Sequence, residues 1–177
     1  MNRMEPRTRL FHVSEEPNIE TFEPRVPVRS DLWGGEGLVW AINEKCLPNY
    51  LTPRECPRVT WHVGPNTTLD DIDRFISSPS CPHVVAIEHR WFRVFPKTTL
   101  YLYEFAPDDF REIDRTAGYY VSRFWEKPVS VTRIDDLFEA LFEANVELRV
   151  VDSLQPLAEL IRQTSFDWSM IRMANAR

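Results

Sequence analysis

His83-Val84-Val85-Ala86-Ile87-Glu88, Trp91-Phe92-Arg93-Val94-Phe95 and Leu100-Tyr101-Leu102-Tyr103-Glu104-Phe105 follow one another with no helical run between them. Each is short and rich in β-branched or aromatic residues, the composition of a strand. The last two predict a hairpin that turns near Pro96-Lys97-Thr98. Consecutive strands without an intervening helix disfavour the regular alternation of a doubly wound parallel fold.

Working outward, the same composition marks strands at Leu10–Ser14, Leu38–Ile42, Arg58–Val63, Tyr119–Phe124, Val129–Thr132 and Val146–Val151. Phe166, Trp168 and Met170 alternate and predict a final extended segment. Three helices are signalled. Thr68, with Asp71 three residues on, caps a face of Leu69, Ile72, Phe75 and Ile76. By the same logic Thr132 and Asp135 precede Ile134, Leu137, Phe138, Leu141 and Phe142. Asp152 or Ser153 starts a third helix, with Leu154, Leu157, Leu160 and Ile161 on one side. Strands outnumber helices, so the expected fold class is α+β: mixed, mostly antiparallel sheets with a few short helices. The stretch from Glu23 to Gly37, with Pro24, Pro27, Gly34, Gly35 and Gly37, is the expected long loop.

The 177 residues fit a single domain spanning 1–177. Hydrophobic residues make up 43% of the chain, which excludes a disordered composition. Twenty-one Lys and Arg against 27 Asp and Glu leave a net charge of -6, which argues against a general nucleic-acid surface. Apolar runs such as Val84-Val85-Ala86-Ile87 are too short to span a bilayer, and Met1–Arg7 holds no apolar stretch of signal-peptide type. Cys46, Cys56 and Cys81 are an odd number without framework spacing, so reduced thiols in a cytoplasmic protein are expected.

The sequence has no Gly-rich dinucleotide fingerprint, no P-loop and no G-x-S-x-G elbow. Cys81, His83 and His89 lie close together, with Cys46, Cys56 and His62 upstream, but no C-x2-C pair occurs. Core cysteines and a loop histidine explain them better, and no metal is expected. Leu10-Phe11-His12-Val13-Ser14 is more suggestive. Alternation places His12 and Ser14 on one strand face, where two hydrogen-bonding groups could meet a sugar hydroxyl or an amide.

His12-Val13-Ser14, followed by Asn18-Ile19, resembles the His-Gly-Ser…Asn-hydrophobic opening of ADP-ribosyltransferases of the diphtheria-toxin and poly(ADP-ribose) polymerase type. Gly37-Leu38-Val39-Trp40-Ala41 with Asn49-Tyr50 resembles that family's second motif, a Gly-hydrophobic-aromatic-aromatic-Ala strand with an Asn-Tyr beyond it. The third motif is a glutamate at the start of a late strand, matched by Glu126 in Glu126-Lys127-Pro128-Val129. The N-terminal pattern is also similar to that of an uncharacterised bacterial family. The chain departs from the motifs at Val13, where the family has Gly, at Val39, where it has an aromatic, and at Pro128, close after the glutamate.

The resemblance implies an ADP-ribosyltransferase-like fold, NAD as substrate and an unidentified acceptor. His12 and Ser14 would hold the ribose and the carboxamide. Tyr50 would stack on the nicotinamide, with Trp40 as a second wall. Glu126 would bond a ribose hydroxyl and stabilise an oxocarbenium-like transition state. Glu104 and Glu147 are the fallback carboxylates. Arg149 and Arg172 are either anion contacts or paired surface charges. The alternative is the same scaffold without catalysis, a nucleotide- or protein-binding module.

Overall fold

The computed structural model describes residues 8–26 and 35–177. Among them the strands, in chain order, are β1 (Leu10–Ser14), β2 (Val39–Asn43), β3 (Arg58–His62), β4 (His83–Glu88), β5 (Leu100–Phe105), β6 (Arg111–Asp114), β7 (Tyr119–Ser122), β8 (Ser130–Ile134), β9 (Val146–Val151) and β10 (Asp167–Ile171). The helices are α1 (Leu69–Phe75), α2 (His89–Phe92), α3 (Leu137–Glu143) and α4 (Gln155–Arg162). The fold is α+β with mixed, mostly antiparallel sheets. No helix among the described residues is long and apolar enough to cross a membrane. The N-terminal stretch 1–7 and residues 27–34 of the expected long loop lie outside the described residues. The ends of that loop come together, with Arg25 and Leu38 exchanging backbone hydrogen bonds of 3.2 and 3.0 Å.

The chain divides into two compact units, Met1–Leu47 with Tyr101–Arg133 and Pro48–Leu100 with Ile134–Arg177. The first unit is built on a sheet of order β6-β7-β2-β1-β5-β8. On one face Leu10, Val39, Ala41 and Phe105 are buried, with Phe22, Phe110 and Tyr120 packed against them. The other face carries Arg9, whose guanidinium lies 4.9 Å from the Phe11 ring centroid and grips both oxygens of Glu104, at 2.8 and 3.0 Å. That two-pronged bond holds the Glu104 carboxyl below its ordinary pKa.

The second unit is built on a sheet of order β10-β3-β4-β9, in which only the β4–β9 pair is parallel. Val59, Trp61, Val84 and Ala86 face Leu154, Ala158, Ile161 and Phe166 to make its core. Polar residues alternate with them on β3, so Arg58, Thr60 and His62 occupy the opposite face.

Thr68 caps α1 as expected, accepting from Asp71 N at 3.3 Å. The hairpin expected over Trp91–Phe105 does not form. Arg90 Nε reaches back to Glu88 Oε2 at 2.8 Å, the chain turns through α2, and Phe95–Lys97 forms a 3-10 turn with Pro96 in its first positions. Phe95 is buried and stacked on Phe138 at 5.2 Å, so tertiary packing overrides its strand propensity. Thr132 is not a cap either, because it lies within β8. Asp136 caps α3, accepting from Phe138 N and Glu139 N at 3.0 Å each, while Asp135 accepts from Thr99. Phe142, expected on the apolar face, is exposed. In α4 the chain enters at Leu154 with no side-chain cap, so neither Asp152 nor Ser153 caps it.

Candidate functional site

β1 pairs with β5 along its whole length but with β2 only at Leu10 and Phe11. The β1–β2 ladder therefore lapses at His12, and the His12 ring turns its Nδ1 to the Trp40 carbonyl at 3.0 Å. A carbonyl can only accept, so Nδ1 carries the proton, and in the neutral ring Nε2 is the accepting nitrogen. Ser14 is buried and its Oγ accepts from Glu16 N at 3.0 Å, leaving the hydroxyl able to donate. The segment that follows is pinned by Tyr103, whose hydroxyl donates to Glu16 O at 2.7 Å and accepts from Ile19 N at 3.1 Å. Within it Asn18 takes a left-handed φ of 61°, a conformation that Asn tolerates better than most residues.

Phe22 closes over this face. Its ring lies 4.8 Å from His12, 5.2 Å from Tyr103 and 5.0 Å from Phe105. Its backbone exchanges two hydrogen bonds with Glu126, at 2.8 and 3.0 Å, which brings Glu126 to the same side. Glu126 is only 9% exposed. Its carboxyl bonds the side chain of Ser122, a residue paired with Val39 on the His12 face. Oε1 has no hydrogen-bond partner among the described residues. Burial pushes the Glu126 pKa up, the negative charge of Asp109 adds to this, and the Ser122 bond opposes it.

The structure thus places His12, Ser14 and Glu126 on one face of the first unit. It places Trp40 on the other. Trp40 alternates with Val39 and Ala41, and its ring meets Tyr119 edge-on at 5.7 Å. The expected second wall is therefore misassigned, for a reason the pleat supplies: the neighbours of Trp40, not Trp40, share the His12 face. Tyr50 belongs to the second unit, at the end of a 3-10 turn, Leu47–Tyr50, with the Arg58 guanidinium 5.2 Å from its ring centroid. Of the fallback carboxylates, Glu104 is held by Arg9 on the opposite face, and Glu147 pairs with Arg149 at 2.7 Å. Arg149 also stacks on Trp61, and Arg172 lies 3.6 Å from Glu55, so both arginines are paired charges.

The second unit holds a polar group that sequence reasoning passed over. His83 opens β4, the strand expected there, is buried, and shares a hydrogen bond with Asn49 Oδ1 at 2.7 Å. Its ring lies 4.8 Å from that of His62, its cross-strand partner. The signal was present in Arg58-Val59-Thr60-Trp61-His62, where polar residues recur every second position along a buried strand. Among the described residues, no group of three His, Cys, Asp or Glu side chains is placed to hold a metal ion.

No curated protein and no solved structure is significantly similar to this chain. A family model does match it, over residues 11–176, nearly the whole length and both units described above. The chain belongs to that family, which is described as a family of unknown function, DUF6886.

Proposed function

We propose that this protein acts on NAD in the manner of an ADP-ribosyltransferase, with the first unit holding the nicotinamide-bearing ribose. The observation that supports this is Glu126, a carboxylate buried on the face that carries His12 and Ser14, with one oxygen left without a partner among the described residues. Buried polar groups are nearly always satisfied, and an exception at a polar surface is a mark of a missing ligand. A ribose hydroxyl donating to Oε1 would satisfy it. The same bond favours the ionised carboxylate, so ligand binding and loss of the Glu126 proton are linked. Once ionised, Glu126 would stabilise the positive charge that develops as the bond between nicotinamide and ribose breaks. His12 and the Ser14 hydroxyl would orient the ribose and the carboxamide. The acceptor is a second substrate of undefined class. The cysteines are free, which supports a reducing compartment such as the cytoplasm.

A second reading, a binding module without turnover, is favoured by Phe22. Its ring covers the His12 face where a nicotinamide would approach. Calorimetry with millimolar NAD, together with an assay for released nicotinamide, separates the two. Heat that His12→Ala abolishes, with turnover that Glu126→Gln abolishes, supports the enzyme. Binding without nicotinamide release supports the module. An absence of NAD-dependent heat in the wild type refutes both as NAD proteins.

A further inference from the structure

The segment from His89 to Lys97 carries His89, Arg90, Arg93 and Lys97 and no acidic side chain. The segment from Asp135 to Glu143 carries Asp135, Asp136, Glu139 and Glu143 and no basic one. Both lie in the second unit, and they meet through aromatic rings. Phe92 of α2 lies 4.9 Å from Phe138 of α3, which also stacks on buried Phe95 at 5.2 Å. The helical repeat extends this seam. Leu137 and Leu141, four residues apart, are buried and hold α3 to its unit. Phe138 and Phe142 follow one residue later, about 100° around the helix, and so share a different face. Phe92 is 42% exposed and Phe142 is 74% exposed.

The charges lie on either side of the rings. Asp136 caps α3 and Asp135 accepts from Thr99, so Glu139 and Glu143 are the acids that α3 presents. Arg90 is engaged by Glu88, so Arg93 and Lys97 are the bases presented from the other side. These four residues are exposed. Among the described residues no ion pair joins the two flanks. Single exposed apolar residues are ordinary, but a row of rings rimmed by charge has the make-up of an interaction surface.

We propose that this seam is a homodimer interface. A second copy of the chain, turned by a half-turn about an axis along the seam, lays its rings on the same rings and its basic flank on the first copy's acidic flank. A partner of uniform charge would be repelled by one flank or the other, whereas the same surface inverted matches both. A half-turn about an axis across the seam would oppose like charges, so only one pairing is favoured.

The test is sedimentation of the full chain over a concentration series. At the top of the series the wild type is expected at twice its 20.9 kDa monomer mass. Phe142→Ser alters an exposed side chain and should raise the dissociation constant by at least about tenfold, since each dimer covers two such rings. Added salt should raise it too, because the flank pairs are screened. Two charge variants test the orientation. Arg93→Glu with Lys97→Glu makes both presented flanks acidic, and Glu139→Lys with Glu143→Lys makes both basic. Each variant alone should be monomeric, and an equimolar mixture should regain the dimer. A wild type that stays monomeric throughout the series overturns the proposal. So does a dimer that Phe142→Ser leaves unchanged, or a mixture of the two charge variants, both folded by circular dichroism, that does not associate. Where a charge variant fails to fold, the wild-type mass and Phe142→Ser decide the matter.

Discussion

Replacing Glu126 by glutamine should stabilise the folded protein at neutral pH while removing the proposed release of nicotinamide from NAD. Glu126 is nine-tenths buried, has one partner in Ser122, and leaves Oε1 without one among the described residues. An unsatisfied buried polar group costs about 1–3 kcal/mol, more when charged. Glutamine keeps the shape and the Ser122 contact but removes the charge, so roughly 1 kcal/mol should be recovered. For a chain of this size that is a rise in Tm of about 2–4 °C. The pH dependence is more telling than the size. Burial raises the folded-state pKa of Glu126, so ionisation opposes folding. The penalty is absent below the unfolded value of about 4.3, develops as pH rises toward the folded value, and is complete above it. Thermal melts of wild type and Glu126→Gln, followed by circular dichroism from about pH 4 to about pH 8, should therefore converge in acid and separate at neutrality. If the variant melts below the wild type at neutral pH, Glu126 is a structural anchor, and the reasoning that makes it a ligand group collapses.

Glu88 should behave in the opposite way. It is fully buried and satisfied, accepting from Arg90 Nε and from Arg177 N at 2.8 Å each. Glu88→Gln should destabilise by about 3 kcal/mol in urea unfolding, the low end for a broken buried pair, because Arg90 retains access to water. A loss near zero would mean that the pair contributes nothing. Thiol reactivity should follow burial: Cys56 is fully buried, with its thiol pushed up to about 12, whereas Cys81 is partly exposed. Mass spectrometry after brief alkylation of the native protein should find Cys81 modified first, and equal labelling of Cys56 would contradict the packing described.

Local chemistry was legible in the sequence where it acts locally. The Thr68 cap, the bounds of β1, β4, β5 and β9, and the placing of His12 with Ser14 on one face all depend on residues a few positions apart. The candidate site was legible in its parts for the same reason. What failed was every inference that needed to know a neighbour. Trp91–Phe95 has strand composition, yet Phe95 is claimed by Phe138 and Glu88 by Arg90. Trp40 fits an aromatic motif, yet the pleat turns it from His12.

By itself, then, the sequence determined the class of the fold and, along β1, the side that carries the polar groups, because side-chain direction is fixed by the backbone repeat. Tertiary structure alone decided which of those groups meet. Glu126, expected at the start of a strand, lies four residues before β8, and it becomes a buried carboxylate with an oxygen to spare only because the Phe22 backbone captures it in an isolated bridge. His62 and His83 become a pair only because β3 and β4 align them in register. Both outcomes depend on contacts between residues far apart in the chain, which no local pattern encodes.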